Sequence, residues 1–132
     1  MAFSKDTGRQ DILVARVTVT YDELTSGTAL EAIDVPADAI YDSGWVDVKT
    51  AFDSGTSDVL DVGDGDDDDR YTSSQIDLTS TGRTDLDVVG KKYDEKDTID
   101  ATWTGSGSDP TEGEFELVYK YIREDRAVET QV

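Results

Sequence analysis

The 132-residue chain has no cysteine, no histidine, one methionine and two prolines, and sets only 12 basic residues against 31 acidic ones. Each shortage excludes chemistry. Without histidine and cysteine there is no Ser-His-Asp or Cys-His catalysis, no thiolate metal centre, no disulfide and no haem ligation. A formal charge of -19 argues against nucleic acid, because gripping a polyanion needs a lysine- and arginine-lined face. Long apolar runs are also lacking. The segment from Met1 to Asp11 contains no apolar stretch of signal-peptide length, and no run approaches the ~20 residues of a membrane span. The expectation is a protein made in the cytoplasm, without a membrane or nucleic-acid partner.

What is present points to a folded domain. Of the acids, 23 are Asp and 8 are Glu, alongside two Trp, six Tyr, three Phe and many Val and Thr. Acidic disordered chains favour Glu, Lys, Pro and Ser and lack aromatics. An Asp-rich, Lys-poor skin repels itself at low salt and is screened at molar salt, where the Debye length is ~3 Å. A halophilic source follows as an expectation.

The apolar pattern has period two. Ile12 to Tyr21 places Leu13, Ala15, Val17, Val19 and Tyr21 on one face. Ala29 to Ile33 follows, and Pro36 marks an edge or crossover turn. Gly44 to Phe52 points Val46, Val48 and Phe52 inward, bounded by Asp-Ser-Gly turns at residues 42–44 and 53–55. Ser57 to Val62 is expected to pair back on it as a hairpin. Arg70 to Leu78 and Leu86 to Val89 are weaker strand candidates. Thr98 to Thr104 directs Ile99, Ala101 and Trp103 inward, and Glu114 to Ile122 does the same with Phe115, Leu117, Tyr119 and Tyr121. No segment sustains helical apolar spacing. The reading is all-β: an antiparallel sandwich of about eight strands, jelly-roll-like, over residues 12–122. A polar N-terminal arm (1–11) and a charged C-terminal tail (123–132) flank it.

One segment looks chemical. Asp61 to Arg70 (DVGDGDDDDR) carries six Asp in ten residues, and hard cations such as calcium take six to eight oxygens. Asp64, Asp66 and Asp68 have the spacing that opens an EF-hand loop. The match then fails, with Asp69 where glycine is required and Gln75 where glutamate is. An irregular calcium site on these three residues stays open beside a solvated acidic loop, and no other cofactor is implied. A carboxylate-pair glycosidase is the one enzyme class the composition permits. With 31 acids, pair spacing carries no information, and the expectation is that the chain is not an enzyme. Trp45 and Trp103 could stack on sugars if exposed, but both sit in alternating strands, where core or rim packing is expected.

The stretch from Ala39 to Thr81 resembles small β-rich structural proteins that decorate or cement the heads of tailed viruses. The residues that carry the likeness are Ile40-Tyr41-Asp42-Ser43-Gly44-Trp45-Val46-Asp47-Val48, Ala51-Phe52-Asp53-Ser54-Gly55, Leu60-Asp61-Val62-Gly63-Asp64 and Asp69-Arg70-Tyr71. The run Asp66 to Asp69 is more acidic than that group leads one to expect. The resemblance implies a non-enzymatic virion protein, acting as a homotrimer that clamps the major capsid protein lattice. It places contact candidates on the arm (Phe3, Lys5, Arg9) and on the outward face around Trp45. A tail or fibre component binding a receptor or carbohydrate, and a free-standing calcium- or sugar-binding module, are the alternatives.

Overall fold

A computed structural model describes residues 11–123. Eight strands form in it: β1 (Leu13–Thr20), β2 (Ala29–Val35), β3 (Ala39–Thr50), β4 (Gly55–Gly63), β5 (Ile76–Asp77), β6 (Gly82–Asp85), β7 (Asp97–Gly107) and β8 (Glu114–Arg123). They make two four-stranded antiparallel sheets, ordered β1-β8-β3-β6 (sheet one) and β2-β7-β4-β5 (sheet two). The pairs β1·β8, β2·β7, β3·β6 and β4·β5 are those of one long hairpin of eight strands, rolled so that successive pairs fall in alternate sheets. That is a jelly roll, the architecture expected from about eight alternating strands.

Between the sheets lie the inward sets of the alternating strands. Val19, Val46, Val48, Phe115, Leu117 and Tyr119 come from sheet one, and Ile33, Val35, Leu60, Val62, Ile99, Ala101 and Trp103 from sheet two. Phe52 closes one end, its ring centroid 6.2 Å from Trp103 and 6.3 Å from Phe115. Asp53 pins the loop beside it, accepting hydrogen bonds from the Thr111 and Glu112 amides at 2.6 and 3.2 Å. Pro36 lies in the turn that carries the chain from sheet two to sheet one.

Four local expectations are corrected. Residues 42–44 form no turn; they lie inside β3, where the pairing with β8 shifts register between Tyr41 and Ser43. Gly44 is there because a Cβ would meet the Val118 carbonyl oxygen at 2.5 Å. β3 and β4 are not a hairpin, because the turn after Thr50 crosses between sheets and β4 pairs with β7 and β5. Arg70 to Leu78 is mostly turns, with only Ile76–Asp77 in a ladder. Its apolar residues Tyr71, Ile76 and Leu78 are nonetheless buried. The late strand runs over Gly82–Asp85 rather than Leu86 to Val89. Of that segment Leu86 alone enters the core, while Val88 and Val89 are 78% and 43% exposed.

Candidate functional site

The outward faces of the two sheets are unlike. Sheet one's strands carry Arg16, Lys49, Arg83, Lys120 and Arg123 against Asp42, Asp47, Asp85, Glu114 and Glu116, a formal charge of zero. Sheet two's strands carry Glu31, Asp34, Asp58, Asp61, Asp77, Asp97 and Asp100 with no basic residue, a formal charge of -7 to which the inward Asp58 contributes one.

Strand register builds the neutral face around Trp45. One outward row runs Arg16, Val118, Trp45, Asp85, and the next runs Thr18, Glu116, Asp47, Arg83. Arg83 stacks on the indole with its Cζ 4.0 Å from the ring centroid, and the Lys120 Nζ lies 4.9 Å from it. Trp45 is therefore a half-buried rim residue held between two cations. Beside it Val118, outward by register, is only 1% exposed. Arg16 makes a two-pronged bond to Glu116 (2.9 and 3.1 Å), and Arg83 and Lys49 pair with Asp85 and Asp47. Among the described residues no carboxylate pairs with Lys120. Ile12 and Val14, more than half exposed, extend the face at its β1 edge. Val88 and Val89 lie at the opposite edge, in a segment held beside β3 through Leu86 and Lys91. Of the exposed large apolar residues among those described, Val14 lies in a strand of sheet one, Ile12 directly precedes β1, and Val88 and Val89 follow β6. The arm candidates Phe3, Lys5 and Arg9 lie outside the described residues.

The Asp-rich loop leaves the end of β4 and is organised by one of its acids. Asp64 is buried and accepts hydrogen bonds from the Arg70 Nε (2.5 Å), the Tyr93 hydroxyl (2.8 Å) and the amides of Asp66 and Asp67 (3.0 Å each). Burial pushes its carboxyl up, but these donors outweigh burial and hold it below the ordinary 3.8. The network continues inward: the Tyr71 hydroxyl lies 2.5 Å from that of Tyr93 and 3.1 Å from that of Tyr119. Gly63 admits the loop, because a Cβ there would meet the Asp67 carbonyl oxygen at 2.1 Å. The candidate ligands therefore separate. Asp64 is spent on Arg70 and Tyr93, whereas Asp66 and Asp68 are exposed. The carboxylates that do converge, within 4.8 Å of one another, are those of Asp67, Asp68 and Asp69. Hydrogen bonding and repulsion from Asp67 raise the Asp69 carboxyl.

Sequence reasoning missed a second buried acid. Asp58 points inward from β4 and accepts from the Trp103 Nε1 (2.9 Å) and from the amide and hydroxyl of Ser54 (3.0 and 2.6 Å). Trp103 lines a shallow depression of about 340 Å³ with Tyr21, Leu24 and Pro110. Its ring is only 7% exposed, which makes it a core residue. Among the described residues no helix is long and apolar enough to cross a membrane.

No family model matches the chain, and no curated protein matches it. Solved structures do. A chain of the capsid asymmetric unit of cyanophage Pam1 is similar at a TM-score of 0.69 and 14% identity, over 93% of this chain and 91% of that one. A chain in the capsid of Ralstonia phage GP4 gives 0.63 and 16%, over 93% and 90%. One from the acidic stable capsid of Helicobacter pylori bacteriophage KHP30 gives 0.60 and 11%, over 83% and 86%. At these identities the likeness establishes the fold, a jelly-roll-like all-β sandwich that this chain shares almost from end to end.

Proposed function

We propose that the chain is a non-enzymatic structural protein of a tailed virion, a decoration or cement protein on the outside of the head that stabilises the major capsid lattice. One observation carries the reading: the fold matches chains of three phage capsids over nearly the whole of both partners. The matched chains are thus about as small as this one. Charge favours the outer side of the shell. A molecule of formal charge -19 is repelled by packaged DNA, whereas the outer surface is free of that polyanion. The protein would be made in the host cytoplasm and act as a homotrimer, with its Asp-rich surface suited to the molar salt of a halophilic host.

The test is co-sedimentation of the purified protein, in molar salt, with heads assembled from the major capsid protein of the same virus. Saturable binding in multiples of three per local three-fold position is expected, and heads bearing the protein should withstand more heat or osmotic shock. Labelling confined to tails would replace this reading with that of a tail component. A calcium-dependent rise in melting temperature, absent with monovalent salt of equal ionic strength, would instead favour a free-standing ion-binding module.

A further inference from the structure

We infer that the outward face of sheet one, centred on Trp45, Arg83 and Lys120, is the surface that seats on the capsid shell, with sheet two and the Asp66 to Asp69 loop turned to solvent. The inference rests on the decoration reading above and adds which face is buried and what it meets.

Two independent observations agree. The first is charge: strands of formal charge zero on one side oppose strands of formal charge -7, the inward Asp58 included, on the other. A protein shell presents both charge signs to an incoming partner, and like charges brought together across an interface oppose binding. The neutral sheet is the side that can be brought close. The second is apolar exposure. Ile12, Val14, Val88 and Val89 flank this sheet on both edges, and Trp45 stands between them, held upright by Arg83 and Lys120. Tryptophan and arginine are the residues that most often dominate the energy of a protein interface.

The arrangement also describes its partner. Arg16, Lys49 and Arg83 already have carboxylates of their own, so the face does not call for a strongly acidic surface. Lys120, beside Trp45, has no carboxylate paired with it among the described residues. The surface that fits is a protein surface with apolar side chains opposite Trp45 and Val14 and a carboxylate within reach of Lys120. A second copy of this chain would bring its own Lys120 and Arg83 against the same groups if the faces met symmetrically, which favours the shell.

Three substitutions compared on the same heads test this. Arg83→Glu lies on an exposed position and Lys120→Glu on a half-buried one, and Glu31→Lys on β2 reverses a charge on the opposite face. Circular dichroism and melting confirm that each variant is folded. Lys120→Glu and Arg83→Glu should each weaken head binding at least tenfold, and Glu31→Lys should leave it within twofold. Acetylation of the native protein gives a readout without substitution: Lys49 and Lys120 should be protected on heads while Lys96 stays reactive. If the native protein binds heads and the two sheet-one variants bind equally well, the face is wrong and the decoration reading survives. Should those variants lower the mass of the free protein by light scattering and spare head binding, the face joins copies of the chain and the inference falls. Failure of the native protein to bind heads at all removes both.

Discussion

The two sheets of this sandwich solve the same packing problem and dress their outer faces differently. Both bury alternating aliphatic and aromatic residues against each other, yet every basic residue that falls in a strand belongs to sheet one and none to sheet two. On sheet one, Arg16, Lys49 and Arg83 are paired with carboxylates and a tryptophan lies between two cations. On sheet two, threonines and carboxylates dominate, with Ser57 and Val59 among them. A fold needs neither arrangement for stability, since surface ion pairs contribute ~0–1 kcal/mol. The difference teaches where the surface has been shaped for something other than folding. It also shows that the net charge is a property of one side of the molecule and its loops rather than of its whole skin.

The sharpest way to test that division starts within the acidic side, where one carboxylate is structural and its neighbours are not. Asp64→Asn strips the charge that Arg70 and Tyr93 are built around and should destabilise by about 3 kcal/mol, as loss of a buried charge partner does. Asp68→Asn, four residues on, should change stability by no more than about 0.5 kcal/mol. Urea denaturation of both settles the contrast. The same group sets the acid limb. Because the folded carboxyl of Asp64 titrates below its ordinary 3.8, its contribution is complete above that value and is lost as pH falls through the lower folded value. Stability followed by denaturant midpoint should therefore drop below about pH 4 in the native protein, and Asp64→Asn should flatten that limb.

On the neutral side, Trp45→Ala removes the stacked cations and the cover over Val118, and should cost about 1 kcal/mol. A loss above about 3 kcal/mol would make Trp45 a core residue and erode the case for a docking role. A smaller effect separates the faces by salt. Glu31→Lys on sheet two should raise the melting temperature at low salt and lose that advantage at 1 M, where the Debye length is ~3 Å. Equal gains at both salt concentrations would contradict a repulsive acidic face. The smallest effect lies in the core. The Tyr41 ring centroid lies 4.6 Å from that of Tyr71, the rings tilted by 57°, but its buried hydroxyl has no hydrogen-bond partner among the described residues. Tyr41→Phe should be neutral or stabilise by up to about 1 kcal/mol, in contrast to Tyr93, whose hydroxyl serves Asp64.

Much of the fold was legible in the alternation of β1, β7 and β8, where Val17 and Val19, Ile99 and Ala101, and Leu117 and Tyr119 announce an inward face. Alternation does not say which sheet a strand joins, so the crossing from β3 to β4 was invisible, and Ser54-Gly55 reads as a hairpin turn. Nor does it separate a turn from a bulge. Asp-Ser-Gly at residues 42–44 suits either, and the close approach of the Val118 carbonyl to Gly44 decides it. The acidic loop was legible as a feature and opaque in detail. Asp64, Asp66 and Asp68 are chemically identical in sequence, and what selects Asp64 is Tyr93, brought in from 29 positions away. The motif Asp69-Arg70-Tyr71 carries the same lesson, because Arg70 and Tyr71 are support for Asp64 and the core. The neutral face was readable only at Trp45, since its other members are gathered by strand register.

The orientation of the bound protein is the most direct test of the whole account. A cryo-electron microscopy map of decorated heads, at a resolution that separates the two sheets, should show β1-β8-β3-β6 against the shell and β2-β7-β4-β5 at the outer radius. Density with sheet two against the shell, or no density on the head at all, would contradict it.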